Sequence, residues 1–149
     1  MYSLEIDKIL SRNEVTKKYY SGCFPCDRIP RLKVFPHCMI VNTDPEGCQG
    51  SHWIAIYVPS FHTAEYYDSL GDWPAPSHIH EFLSLFKTVV FNPIALQSDR
   101  ASTCGMHAIY FLHNRCSGLS LEGMLRKFKL LKCSPDIVVR SFARSLMKV

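Results

Sequence analysis

No stretch of this sequence approaches the roughly 20 apolar residues that a membrane-spanning helix needs. The opening residues Met1-Tyr-Ser-Leu-Glu-Ile-Asp-Lys8 carry charge where a secretory signal would be apolar. Neither a membrane-embedded nor a secreted protein is therefore expected. Internal repeats, low-complexity tracts and flexible linkers are absent as well, which argues against solenoids and for one domain over residues 1–149. An even cysteine count is also missing. Seven cysteines in a chain without a signal read as mostly free thiols in a reducing, intracellular compartment.

The composition is that of an ordinary globule, 47% hydrophobic and 20% charged, large enough for one sizeable core. The net charge of +4 is unevenly spread. Residues 119–149 hold seven bases (Arg126, Lys127, Lys129, Lys132, Arg140, Arg144, Lys148) against two acids (Glu122, Asp136), a local +5 that leaves −1 for residues 1–118. Arg126, Lys127 and Lys129 cluster on one expected helix, and Arg140, Arg144 and Lys148 recur every four residues on the next. Such a face suits a polyanion, nucleic acid included, or simply keeps outer helices solvated.

In chain order, Ser3 caps a short helix with Ile6, Ile9 and Leu10 at helical spacing, ending near Asn13. Gly22, Pro25, Pro30 and Pro36 make residues 14–37 an extended, loop-rich stretch. Strands are expected at 38–41, 52–58, 64–68 and 88–91, with 94–97 as an extension of the last. Residues 69–76 are loop, and Ser77 caps a helix running to about Lys87. Further helices fall at 120–131 and 135–147, the second with Ser134 as cap and Pro135 at its first position. The fold class is α+β: a small, mostly antiparallel sheet packed on a buried helix with flanking helices, as a monomer.

That buried helix runs from Ser102 or Thr103 to Gly118. Met106, Ala108, Ile109, Tyr110, Phe111 and Leu112 leave its centre almost no polar face, so it belongs inside the domain. Its first turn holds Cys104-Gly105. The free N–H groups and dipole of a helix start favour thiolate over thiol. Gly105 is expected to leave open space beside the sulfur. The alternative is a core cysteine that only packs.

The hairpin between the second and third strands supplies partners. With residues 59–63 as the turn, Val58 faces Ala64 and Ile54 faces Asp68. Asp68 is then diagonal to His52 on the same face, about 7–8 Å away by Cα. A loop one residue shorter or longer would put them on opposite faces. In that register the chain offers a thiol, an imidazole and an orienting carboxylate, the arrangement of nucleophilic catalysis.

His52-Trp53, then Tyr67-Asp68-Ser69, then Gln97, then Cys104-Gly105 resembles the adenovirus-type cysteine proteases and, more distantly, the SUMO deconjugases of the same papain-like fold. Tyr20-Ser-Gly22 with Phe24, Asp27 and Pro30, and Ile40-Val-Asn-Thr43 before His52, add to the resemblance, which covers about residues 4–118. It implies Cys104 as nucleophile, His52 as general base, Asp68 as orienting acid and Gln97 as oxyanion donor. It also implies Trp53 packed under the site and cleavage beside glycine in viral precursor proteins, in a virion or host nucleus. Thr103 stands where deconjugases commonly carry aspartate, which favours the viral type. The family's DNA cofactor would be met by Arg126, Lys127, Lys129, Arg140 and Arg144. Its activating peptide joins through a cysteine before the oxyanion glutamine, and this chain has none between Cys48 and Cys104.

Cys23-Phe-Pro-Cys26, His37-Cys38 and Cys48 permit a zinc reading, although their spacing matches no strong finger pattern. A zinc- or redox-active module and a basic nucleic-acid-binding accessory protein remain the alternatives from other classes.

Overall fold

The computed structural model describes residues 1–74 and 77–148. Its strands are β1 (Tyr20–Pro25), β2 (His37–Asn42), β3 (Trp53–Ser60), β4 (Thr63–Tyr67) and β5 (Thr88–Phe91), lying side by side in that order. The helices are α1 (Ser3–Arg12), α2 (His78–Leu83), α3 (Cys104–Cys116), α4 (Leu121–Leu130) and α5 (Pro135–Met147), with a single 3-10 turn at Cys26–Arg28. The central strands β2, β3 and β4 are antiparallel, whereas β1 and β5 run parallel to their neighbours. Both edge strands are joined through long connections, as parallel pairing requires.

The sheet separates two cores. On one face β2, β3 and β4 give Cys38, Ile40, Ala55, Tyr57 and Tyr67 to α1, α3, α4 and α5. On the other, Met39, Val41, Ile54, Ile56 and Tyr66 meet α2. Because both faces are covered, β2 is buried at every position, and alternation is hidden in its sequence. The helix α3 lies against the middle of the sheet, where the Phe111 ring stacks on Tyr67 at 4.7 Å and 7°. Its far end is pinned by Arg115, whose guanidinium donates two 2.9 Å hydrogen bonds to the Glu65 carboxylate.

Several expectations shift. The loop-rich stretch 14–37 contains β1, an edge strand where Pro25 costs no ladder bond and Gly22, at φ +138°, accommodates a register break. In α1 the cap is Tyr2 rather than Ser3, its N–H donating to Glu5 at 2.7 Å. Helix α2 stops at Leu83 rather than Lys87, because Leu85 and Phe86 donate to carbonyls three residues back and turn the chain toward β5. Residues 94–97 form no strand: the Leu96 and Gln97 N–H groups both donate to the Ser69 carbonyl, at 2.8 and 2.9 Å. Of the loop expected over 69–76, Ala75 and Pro76 lie outside the described residues.

The β3–β4 hairpin reaches the expected register by another route. Its turn has two residues, Phe61 and His62, with Ser60 opposite Thr63. Beyond it Val58 and Pro59 together oppose Ala64, a bulge that shifts the pairing by one, so that Tyr57 faces Glu65 and Ala55 faces Tyr67. The ladder is therefore in phase with an Ile54–Asp68 pairing. Without the bulge, Asp68 would turn to the opposite face.

Candidate active site

Cys104 is the first residue of α3 and half-buried. Thr103 precedes it as N-cap, yet its hydroxyl caps nothing in α3. Burial pushes the Cys104 thiol up, but the His52 ring and the backbone N–H groups of Trp53 and Gly105 outweigh it and hold the thiol below its ordinary value. Cys104 and Gly105 both line an open groove. Gly105 is buried, and a Cβ there would sit 3.4 Å from both Trp53 Cδ1 and Ile6 Cδ1. Glycine at this position lets the helix start pack closely on Trp53, whose indole N–H donates to the Met1 carbonyl at 3.3 Å.

His52 immediately precedes β3, and Asp68 immediately follows β4. His52 Nε2 meets Asp68 Oδ1 at 2.8 Å, leaving Nδ1 as the nitrogen available to Cys104. Burial draws the imidazole pKa down, but hydrogen bonds and charge from Asp68 and Cys104 prevail and push it up to about 9. The opposite shifts of thiol and imidazole favour a thiolate–imidazolium pair near neutral pH. Asp68 is itself clamped: Asn92 accepts from its N–H at 3.0 Å and donates to its carbonyl at 2.6 Å, while Leu70 N–H donates to Oδ1 at 2.8 Å. The His52 carbonyl takes the Thr43 N–H at 3.0 Å, which continues the β2–β3 ladder past the strand ends.

Gln97 lines the same cleft as His52 and Cys104, a groove of about 890 Å³ bounded by Met1–Ser3, the 44–51 loop and Trp53. Ser69 Oγ donates to Gln97 Oε1 at 2.7 Å, and Gln97 Nε2 donates to the Ala101 carbonyl at 2.6 Å. These two bonds fix the direction of the amide and leave one N–H of Nε2 uncommitted. The cleft thus brings together a thiol and an imidazole shifted toward the ion pair, with a carboxylate behind the imidazole, and an oriented amide donor, a set able to attack an acyl carbon and hold its oxygen.

The residues of the zinc reading are divided between faces. Cys23 and Cys38 join the helix-side core and Cys26 the opposite one, while His37 alternates with Cys38 along β2 and points away from it. Cys38 instead faces Cys116 across 3.9 Å, and no group of three or more metal-binding side chains forms among the described residues. Of the basic residues, Arg126 pairs with Glu122 at 2.9 Å, and Lys127 and Lys129 are exposed on α4. Arg140, Arg144 and Lys148 line an exposed stripe of α5 and form no ion pair among the described residues. Among the described residues no helix is long and apolar enough to cross a membrane.

Asn92 and the role of Ser69 escape the sequence reading: Asn92-Pro93 reads only as a strand breaker, and Ser69 only as part of a motif. Contacts across 24 and 28 residues leave no local pattern.

No protein-family model matches the sequence, and no curated protein matches it significantly. Among solved structures, the ASFV pS273R protease superposes with a TM-score of 0.56 at 16% identity, over 80% of this chain and 59% of that one. ChlaDub1 from Chlamydia trachomatis gives a TM-score of 0.49 at 17% identity, over 74% of this chain and 58% of that one. The chain spans less than two thirds of either neighbour's length. The first of these likenesses shows that the chain shares the fold of the ASFV protease, in keeping with the papain-like α+β architecture expected from the sequence.

Proposed function

We propose that this chain is a cysteine endopeptidase in which Cys104 attacks the peptide carbonyl. The observation that carries the reading is His52, set between Cys104 in the cleft and the buried Asp68 carboxylate, with thiol and imidazole shifted toward the ion pair. The thiolate sulfur forms a bond to the carbonyl carbon, and the C=O electron pair moves to oxygen. That oxygen is held by the free N–H of Gln97 and the Cys104 backbone N–H. Collapse breaks the C–N bond as the His52 imidazolium gives its proton to the leaving amine. Water, deprotonated by His52, then hydrolyses the thioester and frees the acid.

The shared fold with the ASFV protease and the adenovirus-type order His52, Asp68, Gln97, Cys104 support polypeptide substrates, with glycine beside the cut because Trp53 narrows the cleft. A virion or nuclear setting and DNA as cofactor belong to the same proposal, whereas the family's disulfide-held activating peptide has no cysteine to join between Cys48 and Cys104. The stripe of Arg140, Arg144 and Lys148, without an ion pair among the described residues, supports the DNA element.

The test is a glycine-containing peptide library together with iodoacetamide mapping near neutral pH. Selective alkylation of Cys104, turnover lost in Cys104→Ala and at most a trace left in Cys104→Ser are expected, because an unactivated hydroxyl is a far weaker nucleophile. Normal turnover by either variant would remove cysteine catalysis. Processing of a ubiquitin-like conjugate without cleavage of short glycine peptides would turn the reading to a deconjugase.

A further inference from the structure

Three of the four residues gathered at the cleft, Asp68, Gln97 and Cys104, have a chain neighbour in one polar network centred on buried His107 and Asp136. Tyr67 precedes Asp68, Ser98 follows Gln97, and Thr103 precedes Cys104. The Tyr67 hydroxyl meets His107 Nδ1 at 3.3 Å, and His107 Nε2 meets Asp136 Oδ1 at 2.9 Å. Thr103 Oγ1 donates to that same Oδ1, and the Ser98 N–H donates to Oδ2 at 3.0 Å. His107 is fully enclosed, and Asp136 is 7% exposed.

We propose that Asp136 is a positioning residue whose carboxylate, through Thr103, Ser98 and His107, holds the segment from Gln97 to Cys104 against the His52–Asp68 pair. The inference rests on the protease reading above. Three features make the carboxylate specific to this task. It is acceptor-only and meets three donors, so an amide in its place would set an N–H against at least one of them. It is the second residue of α5, where the helix dipole favours an anion and the Ser134 hydroxyl accepts its N–H at 3.2 Å. It also takes the hydroxyl that an N-cap threonine would otherwise spend on the first turn of its own helix. The opening N–H groups of α3 are thereby left to the site, where that of Gly105 helps hold the thiolate.

The ionisation states agree with this wiring. Burial pushes the Asp136 carboxyl up, but Thr103, the Ser98 N–H and His107 outweigh it and hold it below the usual range. Burial holds His107 below its ordinary value, so a neutral ring donates from Nε2 to Asp136 and accepts at Nδ1 from Tyr67. A purely structural staple would cost stability when cut and leave the folded fraction fully active. A positioning group instead changes turnover and the thiol's titration.

Asp136→Asn and Thr103→Val are compared with Thr103→Ser, which keeps the hydroxyl. Four quantities are measured: kcat, KM, melting temperature and the pH midpoint of Cys104 alkylation. Asp136→Asn and Thr103→Val are expected to lower kcat by about 10- to 100-fold, the scale set by small misplacements of reacting groups, with little change in KM. Their alkylation midpoint moves upward, and Thr103→Ser restores both. A folded Thr103→Val with wild-type kcat and wild-type midpoint overturns the proposal, whatever its melting temperature, and decides the matter if Asp136→Asn does not fold. Alkylation needs no peptide, so the two readings fail separately. If wild-type protein cleaves no peptide but the midpoint still moves, the protease reading falls and the positioning role stands.

Discussion

Replacing Asp68 by asparagine removes one charge and little else, because an Asn Oδ1 can still accept from His52 Nε2 and from the Leu70 N–H. The consequence follows from the imidazole. Its rise from 6.5 to about 9 occurs against burial, through hydrogen bonds and charge from Asp68 and Cys104. Two and a half pH units correspond to about 3 kcal/mol in favour of the imidazolium. If Asp68 supplies half of that, losing it costs about tenfold in the ion-pair population; if it supplies nearly all, the loss is over 100-fold. The sign is fixed. Removing the anion lowers the His52 pKa, and losing the imidazolium raises that of Cys104, which His52 now depresses. Wild-type activity should rise as the thiol ionises below its ordinary value and fall as His52 deprotonates through about 9. In Asp68→Asn both limbs move inward and the plateau between them shrinks. The assay is the pH dependence of kcat/KM and, in parallel, of Cys104 alkylation. Superimposable wild-type and Asp68→Asn profiles would refute the reasoning, since a purely steric Asp68 would leave the limbs in place.

Three further outcomes are expected. Gln97→Ala should lower kcat by about 100- to 1,000-fold, as loss of one oxyanion donor does, with Cys104 alkylation little changed; a fall below about threefold would end that assignment. Deleting Pro59 removes the bulge, turns Asp68 away from His52 and should slow Cys104 alkylation at neutral pH to that of an ordinary buried thiol; an unchanged rate would show that the hairpin does not set the pairing. Binding to random duplex DNA should weaken with salt at a log–log slope of about −0.9 per phosphate engaged, shallower after Arg140→Glu and Arg144→Glu; affinity no better than that of an unrelated protein of similar charge would reduce α5 to a solvated face.

What was legible in the sequence was whatever short range determines. An apolar run between threonine and glycine specified α3 to within two residues, because a helix buried on all sides needs no periodicity to declare itself. Ser120, Ser134 and Pro135 marked α4 and α5, since capping is a local bargain between a side chain and the next few N–H groups. The strand β1 was not legible. It is short, half-buried throughout and broken in register, and its pairing with β2 comes from a connection the prolines disguise as pure loop.

The site itself lies between these cases. The His52–Asp68 pairing followed from a five-residue turn that does not exist; a two-residue turn plus a one-residue bulge gives the same phase. Register on one face has only two values, so two offsetting local differences restore the correct one. The face of a strand residue is therefore more robustly readable than the turn that precedes it. No such parity helps with Asp136, His107, Asn92 or Ser69, whose partners lie 24 to 38 residues away and are set by how α5 and the 92–97 segment pack onto α3 and β4. The groups proposed to react were read from motif and parity, whereas the groups packed behind them are products of tertiary packing. A sequence reading of a site like this one reaches the candidate nucleophile first and the residues packed behind it last, because these need bear no local pattern at all.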